Sequence, residues 1–234
     1  MKNSYVSGLL TALFLVVLFC SPGRLNAEAA STAPIPENQK KGASLDAIID
    51  GLEHRYKADS FSALFYQESP LPDIQITEKA QGKAFFKRPG KFRWSYETPD
   101  VLDYISNGDI LWIHSPADNN VWIGHAGDFF GKEGSAAVLT DIKQIRTRFH
   151  VALAEPFDEL SYHLKLKPKN SVLGVNDIDL SIDRKTFDIL KIISFNMNGE
   201  ETRVMFRDMN FNPLADDSLF NFTVPENAIV IPLD

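Results

Sequence analysis

Cysteine is nearly absent from this chain of 234 residues, which contains a single cysteine, Cys20. Cys20 lies in an N-terminal segment with the features of a secretory signal peptide, so we expect the mature protein to contain no thiol. Disulfide bonds, thiol catalysis and cysteine-ligated zinc are therefore excluded for the mature chain. Lipid modification of this cysteine is also excluded, because bulky Phe19 stands where processing of lipoprotein signals requires a small residue.

Long apolar runs are also missing. The longest run, 9–20, contains one polar residue and is too short for a comfortable membrane-spanning helix. With Lys2 before it and small residues after it, the run predicts a cleaved signal peptide over 1–27, with cleavage after Ala27 or Ala29. An uncleaved N-terminal anchor is the less favoured alternative.

Positive charge is in deficit. Removal of Lys2 and Arg24 with the signal peptide changes the formal net charge from −7 to −9. This acidic balance argues against nucleic acid and anionic membrane surfaces as partners. The small, polar, proline-containing segment 28–43 predicts a disordered leader, and 44–234 is long enough to bury a core as one domain. The exported part thus folds without covalent cross-links.

Motifs for catalysis and cofactor binding are missing too. The five histidines have no spacing typical of a metal site, and there is neither a nucleophile elbow nor a phosphate-binding glycine loop. Asp177, Asp179 and Asp183 share one face of a predicted strand, where solvated carboxylates are favoured over a calcium site. We predict no enzyme activity, no metal and no cofactor. An exported lipid-modifying enzyme stays open, because residues distant in sequence can converge in space.

The chain is rich in phenylalanine, with 17 Phe against 6 Tyr and 3 Trp. Within 88–123, Phe92, Trp94 and Tyr96 alternate with polar residues, so their rings are expected on one face of a strand. Phenylalanine adds apolar area without a polar group, which suits a large core and a lipid cavity equally well. The composition alone does not choose between these two.

Hairpin signals surround the aromatic strand. Asn107 and Gly108 are predicted to supply the two positive φ angles of a tight turn. The following strand, 110–113, is apolar in both phases, which predicts cover on both of its sides. The long strand before the aromatic one is expected to bend near Gly82.

Two helices are predicted beside the strands. Ser44 is a good N-cap, and apolar residues recur at helical spacing from Leu45 to Tyr56. A glycine-rich segment, 124–134, leads into a second helix over 136–145 that is expected to cover one mouth of the sheet. The fold class is mostly β (α+β): a curved antiparallel sheet of about ten or eleven strands that forms an incomplete barrel with a helical lid.

Two motifs, in order, resemble the LolA family of lipoprotein carriers. They are K-R-P-G-K-F-R-W at 87–94 and S-N-G-x-x-L-W at 106–112, preceded by the amphipathic helix and followed by F-N-F-T-V-P at 220–225. The resemblance implies a periplasmic, monomeric chaperone with a hydrophobic cavity under its lid. It implies as partners acylated lipoproteins, the inner-membrane ABC transporter LolCDE and the outer-membrane receptor LolB. A module on the same fold that senses lipid or lipoprotein is the alternative.

The resemblance also implies roles for individual residues. Arg88 matches an arginine that hydrogen-bonds backbone groups of the lid helices when the cavity is empty, and Phe92 matches a position at the cavity mouth that governs hand-over. The expected lipid-binding and lid residues are Arg88, Phe92, Trp94, Leu111, Ile113, Leu139 and Ile142. The alternatives are a solvated arginine beside a hairpin proline, ordinary core side chains, and a helix packed permanently on the sheet.

Overall fold

Twelve β-strands form one open, curved sheet in the described chain. The structure is a computed structural model that describes residues 43–71, 74–127, 138–139, 142–155, 158–170 and 175–233. The predicted fold class is confirmed, with twelve strands instead of ten or eleven. The strands are β1 (Ser60–Leu71), β2 (Ile76–Lys87), β3 (Lys91–Thr98), β4 (Leu102–Asn107), β5 (Ile110–Ser115), β6 (Asn120–His125), β7 (Phe149–Leu153), β8 (Ser161–Pro168), β9 (Val175–Asp183), β10 (Ile189–Asn196), β11 (Glu201–Phe211) and β12 (Ile229–Pro232).

Most strands pair with their neighbours in sequence. The order is β12-β6-β5-β4-β3-β2-β1-β11-β10-β9-β8-β7, so β1 lies near the middle and joins the two halves. The pairing between β12 and β6 is parallel, and the other pairings are antiparallel. Short turns suffice for antiparallel neighbours, which explains why turn residues recur so often along the sequence.

Helix α1 (Leu45–Arg55) packs against one side of the sheet, which we call the inner face. The predicted cap is confirmed, because the Ser44 hydroxyl accepts a hydrogen bond from the backbone N–H of Ala47 at 3.2 Å. Ile48 and Leu52, from the predicted apolar stripe, are fully buried. A Cβ atom on Gly51 would lie 2.3 Å from the Phe187 ring, so the helix approaches the β9–β10 turn closely.

A second helical segment follows the predicted glycine-rich region. A 3-10 turn, Ile142–Gln144, continues directly into helix α2 (Ile145–Arg148). The predicted end of this helix at residue 145 is wrong, since helical backbone runs to Arg148. Residues 128–137 and 140–141, and the predicted signal peptide and leader up to 42, lie outside the described residues. We refer to α1 and residues 142–148 together as the cover.

The outer face of β4, β5 and β6 is covered by the C-terminal part of the chain. Trp112 on β5 lies with its ring centroid 6.5 Å from that of Phe222, and Val224 packs on the same small cluster. On the inner face, Leu111 and Ile113 of the same strand are fully buried. The prediction that β5 is covered on both sides is therefore confirmed.

The structure departs from one local prediction, the turn at 107–108, and agrees with another, the bend at Gly82. Gly108 has a positive φ of 102°, but Asn107 does not, so the predicted pair of positive φ angles is wrong. Asn107 ends β4, and its side-chain oxygen accepts hydrogen bonds from the backbone N–H groups of Asp109 and Ile110. The bend at Gly82 is confirmed as a register shift, where a Cβ atom would lie 1.8 Å from a backbone oxygen of β3.

Candidate functional site

A row of aromatic rings occupies the middle of the inner face. The ring centroid of Trp94 is 4.5 Å from that of Phe65 and 6.0 Å from that of Phe206. Phe92 lies nearer the β2–β3 turn, with its centroid 6.5 Å from that of Phe86. Alternate positions on antiparallel strands point to one face, so side chains far apart in sequence form one continuous apolar surface.

The predicted wall and lid residues meet in a single cluster. Trp94 lies on β3, and Leu111 and Ile113 lie on β5, with β4 between the two strands. Leu139 and Ile142 come from the region of the second helical segment. Each of the five is at most 9% exposed. The structure thus brings together the residues that the sequence selected, and their roles as cavity wall and lid contacts stay predictions.

Arg88 reaches from the β2–β3 turn to the C-terminal end of α1. Its guanidinium donates a hydrogen bond to the backbone carbonyl of Tyr56, the residue that caps α1. Its backbone N–H donates to the carbonyl of Asp59 at 2.8 Å. The last carbonyls of a helix lack intrahelical partners and carry partial negative charge, so an arginine is a complementary donor. Arg88 is therefore bonded to the cover in this structure rather than solvated.

Tyr56 fastens the same end of α1 to the sheet. Its hydroxyl accepts a hydrogen bond from the backbone N–H of Ile189 at 3.0 Å and donates to the sulfur of Met209 at 3.4 Å. Burial raises the pKa of this phenol above its ordinary value. Beside it, the Arg55 guanidinium lies 2.7 Å from Asp188 and packs over the ring of Phe211. The C-terminal end of α1 is thus held by several polar contacts.

The family model for "Outer membrane lipoprotein carrier protein LolA" matches residues 56–223, which is well over half of the chain. The match spans the strands from β1 to β11, Arg88 and the aromatic row. The chain belongs to the LolA family.

Relatives of this LolA-family chain include two proteins named "Outer-membrane lipoprotein carrier protein". The protein from Nitrosomonas europaea is 27% identical over 198 residues, covering 85% of this chain and 92% of the relative. The protein from Azotobacter vinelandii is 24% identical over 207 residues, covering 88% of this chain and 95% of the relative. A conserved protein from Thermus thermophilus of uncharacterized function has a crystal structure that matches 80% of this chain and 98% of its own, with a TM-score of 0.52 and 12% identity. That likeness shows the fold alone.

Arg146 of α2 connects the two parts of the cover in this LolA-family chain. Its guanidinium lies 2.7 Å from Asp46 and 3.1 Å from Glu53, and it also contacts Asp50. Hydrogen bonding to Asp46 is the largest of the effects that raise the pKa of Arg146. The three carboxylates are spaced three or four residues apart and so form one row on α1. This spacing is the feature of the sequence that could have indicated a cationic partner. The partner itself is about a hundred residues away, so local spacing did not identify it.

Polar side chains also lie on the inner face, and the sequence did not indicate them. Gln67 and Ser69 continue the inner-face alternation of β1 after Phe65 and are buried. The Tyr96 hydroxyl donates to the side-chain oxygen of Gln67 at 2.9 Å. The indole N–H of Trp94 is buried and meets no acceptor at hydrogen-bonding geometry in the described part of the chain. The apolar surface therefore contains a small group of hydrogen-bonding atoms.

A serine, a histidine and an aspartate meet on the outer face. His163 lies 3.2 Å from Ser181 and 2.8 Å from Asp158, and the hydrogen bond to His163 is the main cause that lowers the pKa of Asp158 to about 2. Ser181 is only 8% exposed on the paired strand β9, whose N–H groups serve the sheet and are not free to stabilise an oxyanion. Asp158 also accepts from the N–H groups of Leu160 and Ser161. The arrangement anchors the β7–β8 connection.

The described ranges offer neither a cluster of metal ligands nor a membrane-spanning helix. No group of three or more His, Cys, Asp or Glu side chains there is placed to hold a metal ion. No helix in those ranges is long and apolar enough to cross a membrane.

Proposed function

We propose that this protein is a periplasmic chaperone that carries acylated lipoproteins from the inner membrane to the outer membrane. The supporting observation is the apolar inner face, whose rings and aliphatic side chains pack under a cover that separate polar contacts hold in place. The names of relatives such as the Nitrosomonas europaea protein agree with this role. The protein acts by binding and release and breaks no covalent bond.

The physical need for such a carrier follows from the cost of exposing acyl chains. Transfer of one buried methylene to water costs about 0.8 kcal/mol, so a chain of ~14 methylenes costs on the order of 11 kcal/mol. Spontaneous transfer through water is therefore very slow. A carrier needs an apolar surface to receive the chains and a cover that opens to release them.

The proposed roles of the side chains follow their positions. Arg88 stabilises the closed, empty state through its bond to the end of α1, and Phe92, next to the β2–β3 turn, governs hand-over at the cavity mouth. Trp94, Leu111 and Ile113 contact the acyl chains as the wall. The remaining two predicted residues, Leu139 and Ile142, move with the cover.

The proposed partners are an inner-membrane transporter of the LolCDE kind as donor and a receptor of the LolB kind as acceptor. The protein, a periplasmic monomer, binds first the transporter and then the receptor. A sensing module would bind the same ligand without passing it on, so the two functions differ in one measurable step.

The decisive experiment is a transfer assay with purified protein and a triacylated lipopeptide. The protein is expected to extract the lipopeptide from inner-membrane vesicles that contain the transporter and to deliver it to vesicles that contain the receptor. Binding without delivery would favour the sensing module. A protein that neither binds the lipopeptide nor keeps it in solution would contradict both.

A further inference from the structure

We propose that Trp94, Gln67 and Tyr96 form a subsite that binds the ester carbonyl oxygen of an acylated ligand. This inference rests on the proposed function, because it concerns how the inner face holds an acyl chain. It adds a hydrogen-bonding requirement to a surface otherwise lined by apolar groups.

The subsite is a short chain of hydrogen bonds on the inner face of β1 and β3. The Tyr96 hydroxyl donates to Gln67 Oε1 at 2.9 Å, and Gln67 Nε2 donates to Ser69 Oγ at 3.3 Å. Gln67 is 4% exposed, Ser69 5% and Tyr96 3%. Burial raises the pKa of the Tyr96 phenol, while a weak hydrogen-bonding contact from Trp94, outside full hydrogen-bonding geometry, lowers it by a smaller amount. The four side chains therefore lie together and away from water.

One donor in this group has no acceptor at hydrogen-bonding geometry in the described chain. The Trp94 indole is 9% exposed, and its buried N–H has no acceptor at hydrogen-bonding geometry among the described residues. An amide carries two N–H groups, and Gln67 uses one of them in the contacts that the structure shows. A buried donor without an acceptor is unfavourable, so the subsite is complementary to an atom that only accepts.

An ester carbonyl meets this requirement better than other polar groups of a lipid. It accepts hydrogen bonds and brings no donor of its own, whereas an amide adds an N–H that needs a further acceptor. A carboxylate would need a positive charge nearby, and the buried residues of the described chain include no lysine or arginine. The geometry thus selects a neutral, ester-linked chain.

The position of the subsite also fits an acyl chain. Phe65 contacts two of the subsite side chains: its ring centroid is 4.5 Å from that of Trp94 and 5.0 Å from that of Tyr96. Trp94 in turn contacts Phe86 and Phe206. A carbonyl bound at the indole N–H would leave its alkyl chain against these rings.

The test compares a diacylglyceryl lipopeptide with its dialkyl ether analogue, which has the same chains and no ester carbonyl. The natural protein is expected to bind the ester about five- to tenfold more tightly, as one or two hydrogen bonds to neutral acceptors allow. Trp94→Phe keeps an aromatic ring but removes the N–H, so the ratio of the two affinities is expected to fall to about one. Trp112→Phe, at an indole on the outer face against Phe222, is the matched control and is expected to keep the ratio.

The indole resonances provide a second measurement. The chain has three tryptophans, so three indole N–H signals are expected in a nitrogen–proton NMR spectrum, and the Trp94→Phe spectrum assigns one of them. That signal is expected to shift downfield with the ester ligand and not with the ether. Equal affinities for ester and ether in the natural protein, or a ratio that survives Trp94→Phe, would overturn the subsite while leaving the carrier function intact. Failure to bind either ligand would overturn both.

Discussion

Arg88 is the residue that links the β2–β3 turn to the cover. Its guanidinium meets a backbone carbonyl at the end of α1, so the contact does not depend on the side chain that occupies the capping position. Because a charged donor meets a helix C-terminus, the contact is electrostatically favourable as well as directional. A single bond of this kind is strong enough to bias an equilibrium between closed and open covers and weak enough to be broken by a ligand.

Replacement of Arg88 by leucine is expected to loosen α1 without unfolding the sheet. Loss of a hydrogen bond from a charged group costs about 1.5–3 kcal/mol, which raises the open population of the cover by roughly one to two orders of magnitude. Hydrogen exchange of the α1 amides reports this opening. Because the closed empty state loses stability relative to the loaded state, lipopeptide is also expected to bind more tightly and to be delivered more slowly.

Arg207→Leu is the matched control for Arg88→Leu, since Arg207 is an exposed arginine on β11. It is expected to leave exchange and delivery unchanged. Normal exchange and normal delivery in the Arg88→Leu protein would remove this residue from the mechanism.

Asp217 gives the C-terminal segment a dependence on pH. Hydrogen bonds from Lys87 at 2.6 Å, and then from Lys91 at 2.9 Å, lower the pKa of this carboxyl from 3.8 to about 2. The folded state thus binds the proton more weakly than the unfolded state. The contribution of Asp217 to stability is complete above pH 3.8 and is lost as the pH falls to about 2.

Asp217→Asn is therefore expected to lower the melting temperature above pH 4 and to reduce the loss of stability between pH 4 and 2. Melting curves of both proteins over this range measure the difference, and Asp100→Asn at an exposed turn is the control. Parallel pH profiles for the natural protein and Asp217→Asn would show that the two lysine contacts add nothing to stability.

At the scale of elements, the sequence predicts those features of helices and strands that depend on residues close together in the chain. The Ser44 cap and the alternation of Phe92, Trp94 and Tyr96 give α1 and β3 correctly, because capping and side-chain alternation depend on near neighbours. The predicted turn at 107–108 is wrong in part. The Asn107 side chain accepts hydrogen bonds from the turn amides, but the Asn107 backbone has no positive φ. The extent of the second helical segment also depends on what it packs against.

Contacts between different helices and strands could not be predicted from the sequence. Arg146 meets three carboxylates of α1 across about a hundred residues, and Gln67 meets Tyr96 from a different strand. Both pairings follow from the register of the sheet and the placement of the cover, which no periodicity in the sequence encodes. The apolar character of the inner face was predictable because side-chain alternation marks it, whereas the polar residues on that face were not.

Arg146→Met is expected to weaken the connection between the two parts of the cover. Without the cation, Asp46 and Asp50 are left as like charges one helical turn apart, which destabilises α1. The Arg146 side chain is 35% exposed, so solvent screening limits the effect to about 1 kcal/mol. Faster hydrogen exchange in the first turns of α1 is the expected result, and the difference from the natural protein is expected to shrink at high salt.

Arg148→Met is the control for that experiment, because it removes one positive charge from the same short helix. It is expected to change exchange in α1 much less than Arg146→Met does. Equal effects of the two substitutions would mean that net charge, and not the contact with the three carboxylates, stabilises the helix.

At the scale of the whole molecule, the structure combines a continuous sheet with a cover attached by separable contacts. The sheet is held by hydrogen bonds along every strand pair, so its curvature is not expected to change on binding. Polar contacts fasten the cover to the sheet at the C-terminal end of α1, by Arg88 and by the Arg55–Asp188 pair, while Arg146 joins the two parts of the cover to each other. If the protein is a carrier, ligand entry must therefore come from movement of the cover relative to the sheet.

A covalent link between cover and sheet tests this directly. A chain that begins after the predicted signal peptide has no cysteine, so Arg55→Cys with Asp188→Cys places the only two thiols at a contact whose native side chains approach to 2.7 Å. Joining them with a short bis-maleimide fixes α1 on the β9–β10 turn, and lipopeptide uptake is expected to fall at least about tenfold because the closed state is then enforced. Lys83→Cys with Glu97→Cys joins β2 to β3 at a 2.8 Å contact and is expected to leave uptake unchanged. Single cysteine variants treated with a monofunctional maleimide separate the link from the loss of the native pair. Normal uptake by the linked protein would show that α1 does not move and that the acyl chains enter by another route.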